Sequence, residues 1–469
     1  MLFNSFAFFA FFAAVLAAYW HVHSVAGRKV FLVACSYLFY AAWDYRFCAL
    51  LAGVTVIAYA GGRGIAASDN TPRRRAVVAV CVALLLGTLG LFKYAGFFVD
   101  SLTGLMNSFG LAGPSTVLQI ILPVGISFYV FHAISYVVDI YRRQVAVDYS
   151  VVDVALYIAF FPQLVAGPIL RASQFLPQMK TERHLGGSEL SEGVQLFVLG
   201  WCYKVVLADT LAEVADPVFA APRQWKAMAH WTATLAYAGQ IYFDFAGYSS
   251  MAIGAALLLG YRMPRNFAYP YSALSITEFW RRWHISLSTW LRDYLFIPLG
   301  GSRGGRAFYY RNLMLTMVLG GLWHGASWNF VIWGAIHGTA LIGHKVWMEL
   351  RPKLGSPPVL GAAGSLVLTQ VVVVVAWVFF RSQSLSDALL MLQAMAGHAA
   401  PGATKNYQPA LALVVLLPIA VDAVLGRWVD MRGAVTLGRA SSAAVLGVIV
   451  AALLWLHPFA NVPFIYFQF

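Results

Sequence analysis

The chain has 469 residues, of which 60% are hydrophobic and only 11% are charged. An ordinary soluble domain carries roughly 25% charged residues, so this composition, with a mean hydropathy of +0.71, excludes a soluble globular protein and indicates an integral membrane protein. The formal net charge of +13 could suggest nucleic-acid binding, but the basic residues are scattered between apolar segments and are not concentrated on one domain. We therefore expect a lipid bilayer as the environment and no nucleic-acid partner.

Apolar runs of about the length that crosses a bilayer recur along the chain. They lie at about 2–20, 30–43, 47–61, 76–98, 116–138, 152–167, 192–208, 231–260, 311–345, 362–381, 409–426 and 441–457. The first run has no basic region before it and many similar runs after it, so we interpret it as a retained span and not as a signal peptide. Several runs are short or interrupted by glycine and proline, and 231–260 and 311–345 could each hold two helices. The pattern predicts an all-α, polytopic protein with roughly eleven transmembrane helices plus re-entrant or interfacial helices.

Basic residues beside the early spans predict the orientation in the membrane. Arg28 and Lys29 flank one loop, and Arg63 and Arg73–Arg75 flank another that lies two spans further on. Placing both groups in the cytoplasm is self-consistent and puts the N-terminus on the opposite, extracytoplasmic side. Because no long polar linker or internal repeat divides the sequence, we expect a single membrane domain over 1–469.

Polar and aromatic residues are crowded between about 240 and 340, and we place the functional core at about 116–345. The stretch "GQIYFDFAGYSSMAIG" begins this region and contains an acidic residue, Asp244, at membrane depth. Polar groups survive there where they line a buried or water-filled cavity, which predicts a functional chamber. We expect Asp244 to pair with an arginine or histidine of 281–324, and both a structural and a functional role for that pair stay open.

The segment Glu278–Tyr294 has the periodicity of one amphipathic helix. One face would carry Trp280, Trp283, His284, Leu287, Leu291 and Tyr294, and the other Arg281, Ser288 and Arg292. Tryptophan and arginine at this density are typical of a helix at the cytoplasmic interface, either as a simple anchor or with arginines turned toward an anionic ligand. His284 lies on the tryptophan face, where it could point into the chamber or serve as a structural histidine bonded to a carbonyl group.

The next segment, "IPLGGSRGGRAFYYRN", is rich in glycine and arginine. Its glycines permit close approach to the backbone, and arginines such as Arg303 could bind the phosphates of a cytosolic thioester donor such as coenzyme A. An ordinary basic cytoplasmic loop is the alternative, and the segment is not a GxxxxGK[ST] phosphate-binding loop.

Two histidines interrupt the apolar run "GGLWHGASWNFVIWGAIHG", Gly320–Gly338. A buried polar group costs free energy unless it is hydrogen-bonded, so both require an explanation. As a neutral imidazole, His324 could act as a general base on an acceptor hydroxyl, and we expect Gly325 to leave room for a ligand beside it. His337 shares a helical face with Asn329 and Trp333 and is expected to have a supporting role. Without HExxH spacing or a nearby carboxylate, we predict no metal site.

With these residues in place, the sequence resembles the membrane-bound O-acyltransferase family, in particular its alginate O-acetyltransferase branch. The resemblance rests on "LPVGISFYVFHAISYVVDIYR" (122–142), "FFPQLVAGPILRASQFLPQ" (160–178), "QIYFDFAGYSSMAIG" (240–254), "FWRRWHISLSTWLRDYLFIPLGG" (279–301), "GLWHGASWNFVIWG" (321–334) and "PFIYFQF" (463–469). It implies a ring of tilted helices around a central tunnel, with His324 as the catalytic residue and His284 as the second histidine of the site. It also implies a bacterial inner-membrane enzyme that passes an acetyl group from a cytoplasmic donor, acetyl-CoA, toward an extracytoplasmic partner acetyltransferase and the polysaccharide export machinery, with no bound cofactor.

The candidate residues for binding substrate or donor are Arg281, Arg282, Arg303, Trp323, Asn329 and Asp244. The chain departs from the branch at Ser250, where an acidic residue is common, and at Arg265 in "PRNF", where the branch commonly reads PENF. Neither position touches His324, but the departures leave the polymer open among alginate, cellulose, another exopolysaccharide and peptidoglycan. A transporter of a small solute, with the buried polar residues as its path, is the alternative from another class, and a scaffold that recruits a soluble acetyltransferase is a third.

Overall fold

The computed structural model describes residues 1–113, 120–351, 361–428, 447–450 and 463–465. Within these ranges the chain forms helices and no β-strand. The helices are α1 (Phe6–His21), α2 (Val25–Asp44), α3 (Cys48–Ala66), α4 (Thr71–Leu89), α5 (Ala95–Ser108), α6 (Ile126–Tyr141), α7 (Val151–Ala159), α8 (Phe161–Leu164), α9 (Ala172–Phe175), α10 (Gly187–Cys202), α11 (Asp209–Ala220), α12 (Ala227–Leu258), α13 (Ile276–Arg282), α14 (Ile285–Leu291), α15 (Arg306–His324), α16 (Trp328–Leu350), α17 (Ala362–Arg381), α18 (Leu385–Met395) and α19 (Pro409–Trp428).

Among the described residues, five helical stretches are long and apolar enough, by length and composition, to cross a membrane. They are Val25–Ala66, Thr71–Ser108, Gly187–Ala220, Ala227–Leu258 and Ala362–Arg381, and shorter apolar helices accompany them. The protein is therefore a multi-pass membrane protein, as predicted. The apolar run at 231–260 forms one helix and not two, whereas the run at 311–345 does hold two, α15 and α16. The run at 441–457 falls outside the described residues apart from 447–450.

In the part of the chain that the structure describes, three helices are interrupted or extended by a π-helical segment, in which the hydrogen bonds are of the i→i+5 type. These segments are Gly90–Tyr94, Tyr203–Ala208 and Arg292–Phe296. Such bulges occur frequently at functional sites. The second carries Lys204, whose side chain is buried.

The chain divides into two compact units. The first comprises Met1–Phe197 and Ala252–Pro264. In it, the helices α3 and α6 come close because glycine replaces a side chain at the contact: a Cβ atom on Gly62 would lie 2.7 Å from the side chain of Ile140 and 2.8 Å from that of Tyr136.

The second unit comprises Val198–Met251 and Arg265–Phe469 and contains every candidate site residue. Its closest helix pair is α15 and α16, which form an antiparallel hairpin. A Cβ atom on Gly334 would overlap the carbonyl oxygen of Met317, and one on Gly321 would overlap the carbonyl oxygen of Phe330. These glycines are therefore required for the backbones to approach, and the tight hairpin fixes the position of His324 at the last residue of α15.

Candidate active site

The segment Glu278–Tyr294 is not one helix, so that prediction is wrong. Helix α13 ends at Arg282, and α14 begins at Ile285. Between them His284 adopts a left-handed backbone conformation with φ 41°, which costs a non-glycine residue roughly 1–3 kcal/mol and persists only where the surroundings enforce it. The His284 side chain at this break is fully buried in the interior.

Asn266 enforces this conformation. Its backbone carbonyl accepts a hydrogen bond from Ile285 N at 2.9 Å. Its side-chain Oδ1 accepts from the Ser286 hydroxyl at 2.8 Å and from Ser286 N at 3.3 Å. The remaining hydrogen bond joins the same oxygen to His284 Nδ1 at 3.1 Å. Because an amide oxygen can only accept, Nδ1 carries the proton, and Nε2 of the neutral ring carries the lone pair.

The orientation of the Asn266 amide is itself fixed on both sides. Oδ1 faces His284 because the backbone N–H of Ser286 can only donate to it, and Nδ2 donates to the Ser249 hydroxyl of α12 at 3.0 Å. The motifs "GYSS", "PRNF" and "RRWH" therefore meet at one hydrogen-bonded cluster. Sequence reasoning missed Asn266, although its neighbour Arg265 had been noted, because only the fold brings 249, 266 and 284 together.

Aromatic rings surround His324, which is 4% exposed. Its ring centroid lies 5.0 Å from that of Trp323, 5.1 Å from that of Trp333 and 5.2 Å from that of Phe380. The expectation that Gly325 leaves room for a ligand is wrong, because a Cβ atom there would overlap the ring of Phe330. The glycine accommodates this phenyl ring instead.

The structure brings the two predicted histidines together. The ring centroids of His284 and His324 lie 6.3 Å apart, and Trp323 contacts both, at 6.0 Å and 5.0 Å. Phe245 packs edge-on against His284 at 4.6 Å. Two imidazoles in an apolar aromatic enclosure can exchange a proton with a bound hydroxyl while water is excluded.

The third histidine, His337, lies on α16 with Asn329 and Trp333, and all three side chains are buried. The indole Nε1–H of Trp280 donates to His337 Nδ1 at 3.3 Å. Asn329 Nδ2 donates to the carbonyl oxygen of Ser382 at 2.9 Å. The helix thus carries a polar face close to His324.

Asp244 has a different partner from the one expected. Its carboxylate lies 2.7 Å from Lys204 Nζ, and its second oxygen accepts a hydrogen bond from Ile465 N at 2.8 Å. The prediction that Asp244 pairs with an arginine or histidine of 281–324 is therefore wrong. The sequence carried a weak signal for Lys204, a lysine inside an apolar run, since a buried cation requires a counter-ion.

The three candidate arginines differ in exposure. Arg281 and Arg303 are exposed, and Arg303 lies in a turn where Gly300, Gly301, Gly304 and Gly305 all have positive φ. Arg282 already has two partners. Its guanidinium lies 2.7 Å from Glu278 Oε1 on the same helix and donates to the carbonyl oxygen of Ala268 at 3.0 Å.

A sequence model of the membrane-bound O-acyltransferase family matches residues 141–380, about half of the chain. The probable alginate O-acetylase AlgI of Pseudomonas aeruginosa is 45% identical over 401 residues, which cover 84% of this chain and 75% of the relative. The chain belongs to the membrane-bound O-acyltransferase family.

Two further relatives with other printed activities are also similar to the chain. The peptidoglycan O-acetyltransferase of Helicobacter pylori is 36% identical over 79% of this chain and 74% of its own length. The teichoic acid D-alanyltransferase of Streptococcus thermophilus is 30% identical over 49% of this chain and 58% of its own length. These matches confirm the predicted family and enzyme class, an O-acyltransferase homologous to alginate O-acetylases, and disfavour the transporter and scaffold alternatives.

Proposed function

We propose that this membrane-bound O-acyltransferase transfers an acetyl group from a cytoplasmic thioester, acetyl-CoA, toward the O-acetylation of an exported polysaccharide such as alginate. The observation that carries the proposal is the adjacency of His284 and His324, with ring centroids 6.3 Å apart in an aromatic enclosure. The 45% identity to probable alginate O-acetylases supports the choice of polymer.

In the proposed reaction His324 is the general base. It takes the proton of the acceptor hydroxyl while that oxygen attacks the thioester carbonyl carbon; the C–O bond forms, the C–S bond breaks, and the proton passes to the departing thiolate. The products are an acetyl ester and a free thiol, with no net proton released. His284 assists from 6.3 Å away, because the lone pair on its neutral Nε2 can stabilise the positive charge that His324 acquires when it takes the proton.

The remaining candidates are assigned by their surroundings. Arg281 and Arg303 are exposed and could bind the donor's phosphates. Arg282 is held by Glu278 and would add positive potential only. Trp323 and Asn329 would line the bound donor. Asp244, whose carboxylate is occupied by Lys204, would contribute by holding the site together.

The architecture that we propose is a single membrane domain over 1–469, with roughly eleven crossings around a central tunnel and a core at about 116–345. Basic loops at Arg28 and Lys29 and at Arg73–Arg75 support an extracytoplasmic N-terminus in a bacterial inner membrane. The tunnel would connect a cytoplasmic donor to an extracytoplasmic partner acetyltransferase and, through it, to the polysaccharide export machinery.

The test is His324→Ala in cells and in purified protein. We expect normal insertion and accumulation, loss of polymer acetylation, and loss of thiol release from acetyl-CoA in reconstituted vesicles. His398→Ala is the matched control, because His398 is exposed in the same unit, and it should retain full activity. Full acetylation in the His324→Ala strain would overturn the assignment, and uptake of an intact solute without thioester consumption would indicate a transporter.

Peptidoglycan is the second candidate acceptor, because the Helicobacter pylori relative is 36% identical over most of the chain. Chemical analysis of acetyl esters in a deletion strain distinguishes the exopolysaccharide from peptidoglycan as the acceptor. Loss of acetyl groups from the exopolysaccharide supports the first candidate, and loss from the wall supports the second.

A further inference from the structure

The polar face of α16 carries three side chains, each with a buried polar atom that no other described residue satisfies. They are Asn329 Oδ1, Trp333 Nε1 and His337 Nε2. The three residues are 4%, 1% and 0% exposed. A buried polar group without a partner costs about 1–3 kcal/mol, and in native proteins such groups are nearly always satisfied by protein, water or ligand. Three of them on successive turns of one helix therefore indicate a binding surface.

The hydrogen bonds already present fix the character of each atom. Because Asn329 Nδ2 donates to Ser382 O, its Oδ1 faces the other way as an acceptor. Because the Trp280 indole can only donate, Nδ1 of His337 accepts, and the proton of the neutral ring is on Nε2. The face thus offers one acceptor, at 329, and two N–H donors, at 333 and 337.

This row lies beside the proposed catalytic residue. Trp333 packs edge-on between His324, at 5.1 Å, and His337, at 4.7 Å. Residues spaced four apart on a helix stand about 6 Å apart along its axis, so the row extends over about 12 Å. Its other neighbours are apolar rings: Phe279 stacks on His337 at 6.1 Å, and Trp377 and Phe380 contact Trp333 at 6.0 and 5.3 Å.

None of these side chains carries a charge, so the row suits a neutral ligand and not a phosphate. A ligand that supplies both carbonyl acceptors and an N–H donor, spaced along a line by apolar methylene groups, is an amide-bearing chain. We propose that Asn329, Trp333 and His337 bind the amide groups of the arm that carries the thioester, and so present its carbonyl group to His324. The inference rests on the proposed function and assigns His337 to donor binding, beyond the supporting role predicted from the sequence.

The test is a donor series with decreasing numbers of amides: acetyl-CoA with two, S-acetyl-N-acetylcysteamine with one and ethyl thioacetate with none. KM and kcat are measured for each donor with the wild type and Trp333→Phe, which removes the indole N–H but keeps an aromatic ring. Since one hydrogen bond contributes about 1 kcal/mol, we expect KM to rise about three- to tenfold for the amide-bearing donors and kcat/KM for ethyl thioacetate to change by a clearly smaller factor.

Trp347→Phe is the matched control, because Trp347 lies on the same helix and is 38% exposed; it should leave all three donors unaffected. If Trp333→Phe does not accumulate, His337→Gln replaces it, since it substitutes a flexible amide for the imidazole and displaces the neighbouring N–H donor of the row. Equal changes across the donor series, no change at all, or an effect on the acceptor KM alone would overturn the proposal. Failure of the proposed function is distinguishable, because thiol release from acetyl-CoA by the wild type would then not depend on His324.

Discussion

Two buried polar clusters in the second unit solve the same problem in opposite ways. The charged cluster consists of Lys204, Asp209 and Asp244, with Lys204 Nζ 2.7 Å from a carboxylate oxygen of each acid. The neutral cluster consists of His284, Asn266, Ser249 and Ser286, joined by hydrogen bonds between uncharged groups. The first pairs one lysine with two carboxylates and also accepts a hydrogen bond from Ile465 N, whereas the second fixes one imidazole ring beside another.

The charged cluster should matter mainly for stability, and the neutral cluster mainly for catalysis. Removing one member of a buried ion pair leaves an uncompensated charge, so a change in the charged cluster should act on folding. Hydrogen bonds between neutral groups contribute less to stability, but here they decide which nitrogen of His284 carries its proton. A change in the neutral cluster should therefore act on turnover more than on folding.

The largest expected effect follows from removing the shared cation. Lys204→Met leaves the buried carboxylate of Asp244 without the cation that lies 2.7 Å from it, and we expect a loss of about 3–5 kcal/mol of stability. The measurement is the amount of monodisperse protein in detergent and its melting temperature. Asp244→Asn is the control within the cluster. Its amide oxygen can still accept a hydrogen bond from Ile465 N, and Lys204 keeps its ion pair with Asp209. This variant should lose less stability than Lys204→Met. A Lys204→Met protein as stable as the wild type would contradict the structural role.

The second effect is on catalysis. Asn266→Leu removes the acceptor for His284 Nδ1–H and for Ser286, and we expect kcat to fall about ten- to a hundredfold, within the range of a general acid–base contribution. Arg265→Leu is the control, a change to the same residue at the exposed neighbouring position, and it should retain most activity. Thiol release from acetyl-CoA is the measurement. Comparable losses in both variants would show that the segment, and not the amide of Asn266, matters.

Some features of the fold and of the candidate site could be predicted from the sequence, and others depend on tertiary contacts. Composition and apolar periodicity predicted an all-helical membrane protein, because hydrocarbon permits few other structures. His284 and His324 were predicted from their motifs and from resemblance. The break of the helix at His284 was not predictable, because local periodicity favoured continuity and the left-handed turn is imposed by Asn266, 18 residues earlier. The partner of Asp244 was missed for the same reason: Lys204 lies on another helix, and only tertiary packing joins them.

The smallest effects should come from the two serines of the neutral cluster, and they should differ from each other. Ser249→Ala removes the acceptor of Asn266 Nδ2–H, so a buried donor loses its partner at a cost of about 1–3 kcal/mol. Ser286→Ala removes one of several donors to Asn266 Oδ1. This oxygen still accepts from the backbone N–H of residue 286 and from His284 Nδ1–H, so we expect a loss of about 0.5–1 kcal/mol of stability.

The activities of the two serine variants should follow the same order, because Ser249 holds the Nδ2 side of the Asn266 amide, whereas the Oδ1 side keeps the backbone N–H of Ser286 when the Ser286 hydroxyl is removed. With Ser249→Ala the Nδ2 side is released, and the fraction of molecules in which the amide turns over would present Nδ2–H to His284 and favour the ring tautomer with its proton on Nε2. We expect kcat to fall severalfold in Ser249→Ala and less than twofold in Ser286→Ala, an order-of-magnitude estimate from the lost hydrogen bond. The nitrogen chemical shifts of the His284 ring in labelled protein report the tautomer directly. A ring that keeps its proton on Nδ1 in Ser249→Ala, with kcat reduced to the same extent, would mean that orientation of the amide is not what links this cluster to turnover.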